Sequence, residues 1–357
     1  MTWRPQRFLA PLSLLYRQAT IWRNDLYDRG WLTSSGAGVP VLSVGNLSAG
    51  GTGKTPLVAL LCTRIEAGGR RPAVVSRGYG GRNARRPGAP ALVVSTGAPH
   101  TVPVSPAECG DEPAMLARLL PGVPIITGRD RGECARVAVD LFGADLIVLD
   151  DGFQHRRLRR EMDLVTLDAA TPLERTRVLP AGPLREGPEA LRRAHAAVVT
   201  RADDDGLFAH RAAEIAARCP GLPIYRSRHV PCRLRRPQEP SSDSGQPLSD
   251  LTDRPVAAFA GLAQPDAFRK TLEDLGVRLV RFDAFPDHHP FTADEVQSIV
   301  ASGVQAGATL VLTSAKDGVR LPAAVATDPR LRILDIEARV DGLERLVESI
   351  LTGCPRP

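Results

Sequence analysis

One stretch constrains this chain more than any other. A short apolar run at residues 40–44 leads into Ser48, Ala49, Gly50, Gly51, Thr52, Gly53, Lys54 and Thr55, and an apolar helical segment follows over residues 56–67. A strand that feeds a glycine-rich turn and then a helix belongs to a parallel sheet, because the helix must cross back over the sheet face before the next parallel strand can pair. Glycines let consecutive backbone N–H groups curl around an anion, and the helix N-terminus adds its positive end. Lys54 is then placed to reach β- and γ-phosphate oxygens, and the Thr55 hydroxyl to ligate Mg²⁺. The strict form of such a phosphate loop begins with Gly, and here Ser48 takes that place. Lysine occurs only at Lys54, Lys270 and Lys316 in an arginine-rich chain, so a lysine in this turn marks a specific need.

The same rhythm continues. Residues 73–76, 92–95, 102–104, 123–126, 145–149, 164–167 and 196–200 read as short strands, with helices over 112–120 and 131–141. This alternation predicts an α/β fold, a P-loop NTPase-like, mostly parallel sheet with helices on both faces. Composition shifts over residues 226–245, an Arg-, Pro- and Ser-rich run that reads as a linker or exposed ribbon. Strands at 256–260, 278–282, 309–313 and 331–336 then alternate with helices at 265–275 and 293–302. The expected organisation is an N-terminal helix (1–32), a P-loop domain (33–225), a linker or β-ribbon (226–255) and a smaller α/β domain (256–357). The end of the smaller domain can pack back on the first, and a cleft is expected between the two.

Composition narrows the partners. The net charge of +6 suits phosphates or acidic lipid, and without an aromatic-basic RNA motif or a cysteine finger no nucleic-acid partner is expected. No obligate protein partner is evident either. The six cysteines form no C-x-x-C pair and read as reduced thiols rather than a zinc site.

Residues 2–32 hold all three Trp (Trp3, Trp22, Trp31) with Arg4, Arg7, Arg17, Arg23 and Arg29 interleaved. Phe8, Leu12, Leu15, Ala19 and Trp22 follow one helical face. The apolar run is too short to span a bilayer, which takes about 20 residues. Two readings stand: a helix packed on the domain, or an amphipathic helix in the membrane interface, where Trp and Tyr sit at headgroup level and Arg meets lipid phosphate. The concentration of aromatics favours the second.

Acidic and basic clusters supply the remaining chemistry. The strand at 145–149 ends in Asp150 and Asp151, where a metal-binding carboxylate of a phosphate-loop protein belongs; which of the two is closer to the metal is open. Asp111 and Glu112 open a helix, where carboxylates are also favoured by the helix dipole alone. Asp287, His288 and His289 sit in a Pro-flanked loop, a reasonable proton-handling group. Residues 179–186 (LPAGPLRE) form a rigid loop ending in Arg185 and Glu186.

Together these stretches resemble the tetraacyldisaccharide 4'-kinase family, the lipid A 4'-kinases of Gram-negative bacteria. The resemblance runs through residues 45–56, 76–81 (SRGYGG), 110–113, 150–155 (DDGFQH), 179–186, 287–289 and 313–320, in order and over about three quarters of the chain. Ser48 matches the family's own form of the loop, whereas Ala315 stands where an acid is usual. The resemblance implies ATP and Mg²⁺, with γ-phosphate transfer to the 4'-hydroxyl of a lipid A disaccharide precursor. It implies an N-terminal helix on an anionic membrane surface, at the cytoplasmic face of the bacterial inner membrane. Asp111 matches the catalytic base and His288 its partner. Lys54, Thr55, Asp150 and Asp151 match nucleotide and metal positions, and Arg131, Gln154, His155, Arg185 and Glu186 match positions lining the active site. The alternative is a P-loop GTPase or ATPase switch recruited to the membrane, suggested by Thr200, Arg201, Ala202 and Asp203 after a strand, a variant of the guanine-reading [NT]-K-x-D pattern.

Overall fold

A computed structural model describes residues 7–98, 104–173, 177–239 and 246–356. Trp3 and Arg4, most of the strand expected at 102–104, and Ser241, Ser242 and Ser244 lie outside the described residues. The first half comprises α1 (Ala10–Asp28), β1 (Val41–Asn46), α2 (Lys54–Ala67), β2 (Pro72–Ser76), α3 (Arg82–Arg85), β3 (Leu92–Thr96), α4 (Pro106–Cys109), α5 (Asp111–Leu119), β4 (Pro124–Thr127), α6 (Arg131–Phe142), β5 (Leu146–Asp150), β6 (Met162–Asp168), β7 (Ala196–Thr200) and α7 (Asp205–Arg218). The second comprises β8 (Ile224–Arg235), β9 (Pro255–Ala260), α8 (Pro265–Asp274), β10 (Arg278–Ala284), α9 (Ala293–Gln305), β11 (Leu310–Ser314), α10 (Ala315–Gly318), β12 (Leu331–Val340) and α11 (Leu343–Gly353).

All twelve strands join one sheet in the order β10-β9-β11-β12-β8-β7-β6-β1-β5-β2-β4-β3. Every pairing is parallel except β3 with β4 at one edge and β8 with β12 in the middle. β1 lies between β5 and β6. Because parallel strands end on the same side, the turn after β1 and the acids after β5 emerge together, where ligands bind in open α/β sheets. β1, β5 and β7 are buried along their whole length, as strands covered on both faces must be.

The segment read as a linker or exposed ribbon begins in β8, half-buried along most of its length and paired on both sides. β8 pairs with β7 through residues 224–226 and with β12 through residues 227–235. Its arginines looked too polar for a buried strand, but Arg233 and Arg235 both bond the buried Asp335 carboxylate of β12, so charge is matched across the ladder. The last helix, α11, returns to the first half: Leu346 and Ile350 join Leu57, Leu61 and Ile65 of α2 in one apolar cluster.

α1 rests on the first half through polar contacts. The buried Ser13 hydroxyl donates to the Val178 carbonyl at 3.0 Å and accepts from the Ala181 amide at 2.8 Å, and Arg17 bonds Glu189. The apolar stripe faces the other way, with Phe8 76%, Leu15 68% and Trp22 65% exposed. Among the described residues no helix is long and apolar enough to cross a membrane.

The loop after β5 is pinned by close backbone approach. A Cβ on Gly45 would lie 2.6 Å from the Phe153 Cβ and 2.7 Å from its amide nitrogen, and Phe153 is completely buried. Gly45→Ala is therefore expected to destabilise the fold by about 1–3 kcal/mol through overpacking, whereas Gly51→Ala, with its nearest neighbour at 3.9 Å, should stay within about 0.5 kcal/mol. Urea denaturation midpoints of the ligand-free proteins distinguish the two.

Candidate active site

The glycine-rich turn is stitched to three strands. Asn46 Nδ2 donates to the Gly50 carbonyl and to the Thr52 hydroxyl, and that hydroxyl lies 2.8 Å from the Thr166 hydroxyl of β6. Thr200 of β7 donates to the Thr52 carbonyl at 2.7 Å. Arg201 spans from Asp168 to the Gly51 carbonyl; the residue that suggested guanine reading is thus tied to the turn itself. Gly53 caps α2 with φ 74°, a left-handed conformation that favours glycine. A Cβ there would also strike the His229 ring on β8 at 2.5 Å. Burial and the nearby Arg201 push that imidazole down to about 4, so it packs against the turn as a neutral ring. Ser48 and Ala49 pair with the 179–186 loop: Ser48 bridges Leu184, and the Ala49 amide donates to the Pro183 carbonyl.

Lys54 is buried at the first turn of α2, its ammonium 3.3 Å from Asp151. Arg185 bonds the other Asp151 oxygen at 2.6 Å. Burial alone would raise the Asp151 carboxyl, but Lys54, Arg185 and Arg131 outweigh it and hold the group well below the usual carboxylate range. Asp150 is the opposite case. Complete burial and the neighbouring Glu112 push it up to about 7 against the pull of Lys54. Asp150 Oδ1 is buried with no hydrogen bond among the described residues, and Asp151 Oδ1 meets only the Lys54 ammonium. An unmet carboxylate oxygen next to a second carboxylate is an all-oxygen donor set that fits Mg²⁺. Among the described residues no three His, Cys, Asp or Glu side chains converge to hold a metal alone.

Across the cleft a second cluster forms. His288 Nδ1 lies 2.7 Å from Asp111 Oδ2, and Arg320 Nε lies 3.3 Å from the same oxygen. Asp111 opens α5 in the first half, while His288 and Arg320 come from the second. Lys316 bonds Asp287 at 2.9 Å and its ammonium lies 3.4 Å from His288 Nε2. An ammonium only donates, so Nε2 accepts and the ring proton sits on Nδ1, aimed at Asp111. His288 adopts φ 61°, a rare conformation for a non-glycine residue, and is locked there by contacts on both ring nitrogens.

The other expected lining residues divide. Arg131 is buried and bonds the Asp151 carbonyl. The Gln154 side-chain amide donates to the Asn46 carbonyl, and the Gln154 backbone carbonyl accepts from Arg23 of α1. Glu186 is buried and accepts from Asn24 of α1 and from Arg193. His155, pushed down to about 3 by burial and then by Arg131 and Arg160, bonds through its backbone to Gly152 and Arg160.

Residues 5–353 match the family model described as LpxK, tetraacyldisaccharide-1-P 4'-kinase. The chain belongs to this family. It is 43% identical to the tetraacyldisaccharide 4'-kinase of Anaeromyxobacter sp. (strain K) over 360 residues, covering 98% of this chain and 92% of that relative. Identity to the enzyme of Syntrophus aciditrophicus is 41%, over 93% and 88% of the two chains. The crystal structure of the "apo" form of LpxK from Aquifex aeolicus in complex with ATP superposes with a TM-score of 0.78 at 32% identity, covering 98% of this chain and 99% of that one. Kinase membership sets aside the switch reading raised by Thr200–Asp203.

One partner of Asp111 had been given no role. Arg320 ends the 313–320 stretch that carries part of the family resemblance, but the sequence did not tie it to Asp111. His288 makes its short contact to Asp111, the partner the resemblance implies, while the adjacent Asp287 lies 3.8 Å away and holds Lys316.

The Asp150 environment predicts a pH effect. An unfolded aspartate ionises near about 3.9, whereas the folded one keeps its proton to about 7. Between these values the native state binds more protons, so this group's effect on stability worsens as pH rises from about 4 to about 7. In metal-free buffer, Asp150→Asn should gain stability relative to the parent by on the order of a few kcal/mol at pH 8, and that gain should vanish at pH 4. Thermal melts across this range check it; a pH-independent difference counts against it.

Proposed function

We propose that this chain transfers the γ-phosphoryl group of ATP to the 4'-hydroxyl of a tetraacylated glucosamine disaccharide 1-phosphate, a step of lipid A biosynthesis. The observation that carries this reading is the meeting of Asp111 with His288 and Arg320 from the second half, together with a buried Lys54 paired to Asp151 and an unmet oxygen on the adjacent Asp150. A P-loop alone serves many reactions; a positioned carboxylate next to it implies an alcohol acceptor that must lose a proton.

Backbone amides of residues 50–53 and the Lys54 ammonium hold the ATP phosphates and stabilise charge as the transition state forms. Thr55, Asp150 and Asp151 would hold Mg²⁺, which neutralises charge on bridging phosphate oxygens when bound. Asp111 takes the hydroxyl proton. Both second-half partners sit on its Oδ2, which leaves Oδ1 for the acceptor. His288 keeps Nδ1–H on the carboxylate and turns it, and Lys316 fixes that tautomer. Arg131 and Arg185 keep Asp151 ionised beside Lys54. We read the two halves as domains that close over the bound reactants, which excludes water and limits ATP hydrolysis.

The stripe of Phe8, Leu15 and Trp22 supports docking at a lipid surface, where the acyl chains of the acceptor lie; we assign it to the cytoplasmic face of the inner membrane. The three large side chains each gain about 1.5–3 kcal/mol on leaving water, enough for reversible association.

Incubation with ATP, Mg²⁺ and the acylated disaccharide 1-phosphate should add one phosphate at the 4' position, read by mass spectrometry, with GTP a poor donor; no product sinks the assignment. Asp111→Asn should lower kcat by roughly 10²–10⁴-fold with little change in the KM for ATP. A Phe8→Ser, Leu15→Ser, Trp22→Ser variant should shift from pellet to supernatant on sedimentation with anionic vesicles, by on the order of 1,000-fold or more in partitioning, at unchanged melting temperature.

A further inference from the structure

A cavity of about 280 Å³ lies between the C-terminal end of α1 and the loop that follows β5. Its walls carry Arg156, Arg159, Arg160 and Arg193 against Asp28 and Asp163. Three of these arginines are immobilised. Arg160 grips Asp163 with two parallel bonds and also donates to the His155 and Leu158 carbonyls. Arg156 donates to Asp28 and to the Asn24 carbonyl, with its guanidinium over the Tyr27 ring. Arg193 donates to Glu186 from one nitrogen and stacks over Phe153 at 4.5 Å, yet its Nε and Nη2 are buried with no hydrogen bond among the described residues. Arg159 is mostly exposed and pairs with Glu161 from outside the wall.

Each guanidinium has one carboxylate partner, but a guanidinium carries five N–H donors in a rigid fork. One carboxylate leaves part of each fork unused, and buried unmet donors such as those of Arg193 call for an acceptor. Four forks converging on one small space suit a tetrahedral dianion with several oxygens more than another carboxylate. The place in the fold narrows the source. Arg193 touches Glu186, the residue after Arg185, whose guanidinium bonds Asp151. Arg156 lies five residues beyond Asp151 on the same loop, a separation of at most about 18 Å. Trp31 and Leu32, just before the wall residue Ser34, are exposed and offer an apolar edge for a lipid.

We propose that this cavity receives the phosphate at the far end of the lipid acceptor, so that the enzyme recognises its substrate from phosphate to reacting hydroxyl. This rests on the acceptor assigned above. The arginine cavity serves as the anchor, and the spacing from it to Asp151 and Asp111 selects which hydroxyl reaches the ATP.

The test compares kcat/KM for the acyl disaccharide 1-phosphate with that for the same lipid lacking the phosphate, both in neutral detergent micelles. The parent should prefer the phosphorylated lipid by roughly 10- to 100-fold, as loss of a charge-assisted contact predicts. In Arg159→Gln and in Arg193→Gln, each checked for an unchanged melting temperature, that ratio should fall toward unity, and Arg159→Lys should restore part of it. A parent ratio near unity, or a ratio that survives both substitutions, overturns the proposal. So does a ratio that is unmoved while binding to phosphatidylglycerol vesicles is lost, because the phosphate would then belong to a neighbouring headgroup. Phosphorylation of neither lipid by the parent would instead sink the functional reading itself, so the two failures are distinct.

Discussion

The ion pair between Lys54 and Asp151 organises the molecule. It joins the first turn of α2 to the loop after β5, and it forms because β1 is flanked by β5 and β6 in a parallel sheet. A buried ammonium beside a largely buried carboxylate is tolerable only when the pair is further satisfied; Arg185 bonds the carboxylate, and Arg131, held on the Asp151 backbone carbonyl, adds its charge nearby. Arg185 in turn brings the 179–186 loop against the glycine-rich turn, and the next residue, Glu186, holds Asn24 of α1. The glycine-rich turn, the carboxylates after β5 and the seat of the N-terminal helix are thus one electrostatic assembly.

The two adjacent acids show how environment divides identical chemistry. Asp151 meets three cations and is kept ionised, while Asp150 meets burial and Glu112 and keeps its proton toward neutrality. A cation arriving with phosphate would favour the charged form of Asp150, so binding and deprotonation are linked. Asp151 itself adopts φ 53°, a conformation rare for a non-glycine residue.

Much of this was legible in the sequence. The glycine-rich turn, the strand ending in Asp150 and Asp151, and the helix opening at Asp111 are local signals, and the strands and helices that carry them stand within a few residues of expectation. What escaped was set by tertiary context. β8 read as a linker because its arginines oppose a buried-strand pattern, and only Asp335, a hundred residues away, explains them. α7 and α11 went unread, although α11 is strongly amphipathic, because nothing near either suggested chemistry. Arg320 was hidden among many arginines, since its meaning lies in a contact with Asp111 across the sheet.

The polypeptide passes between the halves twice, outward along β8 and back along β12, and these two strands are hydrogen-bonded to each other over residues 227–235 and 333–340. A doubled, laddered crossing cannot swivel as a single tether would. Relative movement of the halves must bend or twist a paired ribbon whose buried rungs include Arg235 and Asp335. Such a joint is stiff to rotation and more compliant to flexing, so the closure proposed above would follow one path and carry His288 back to the same place.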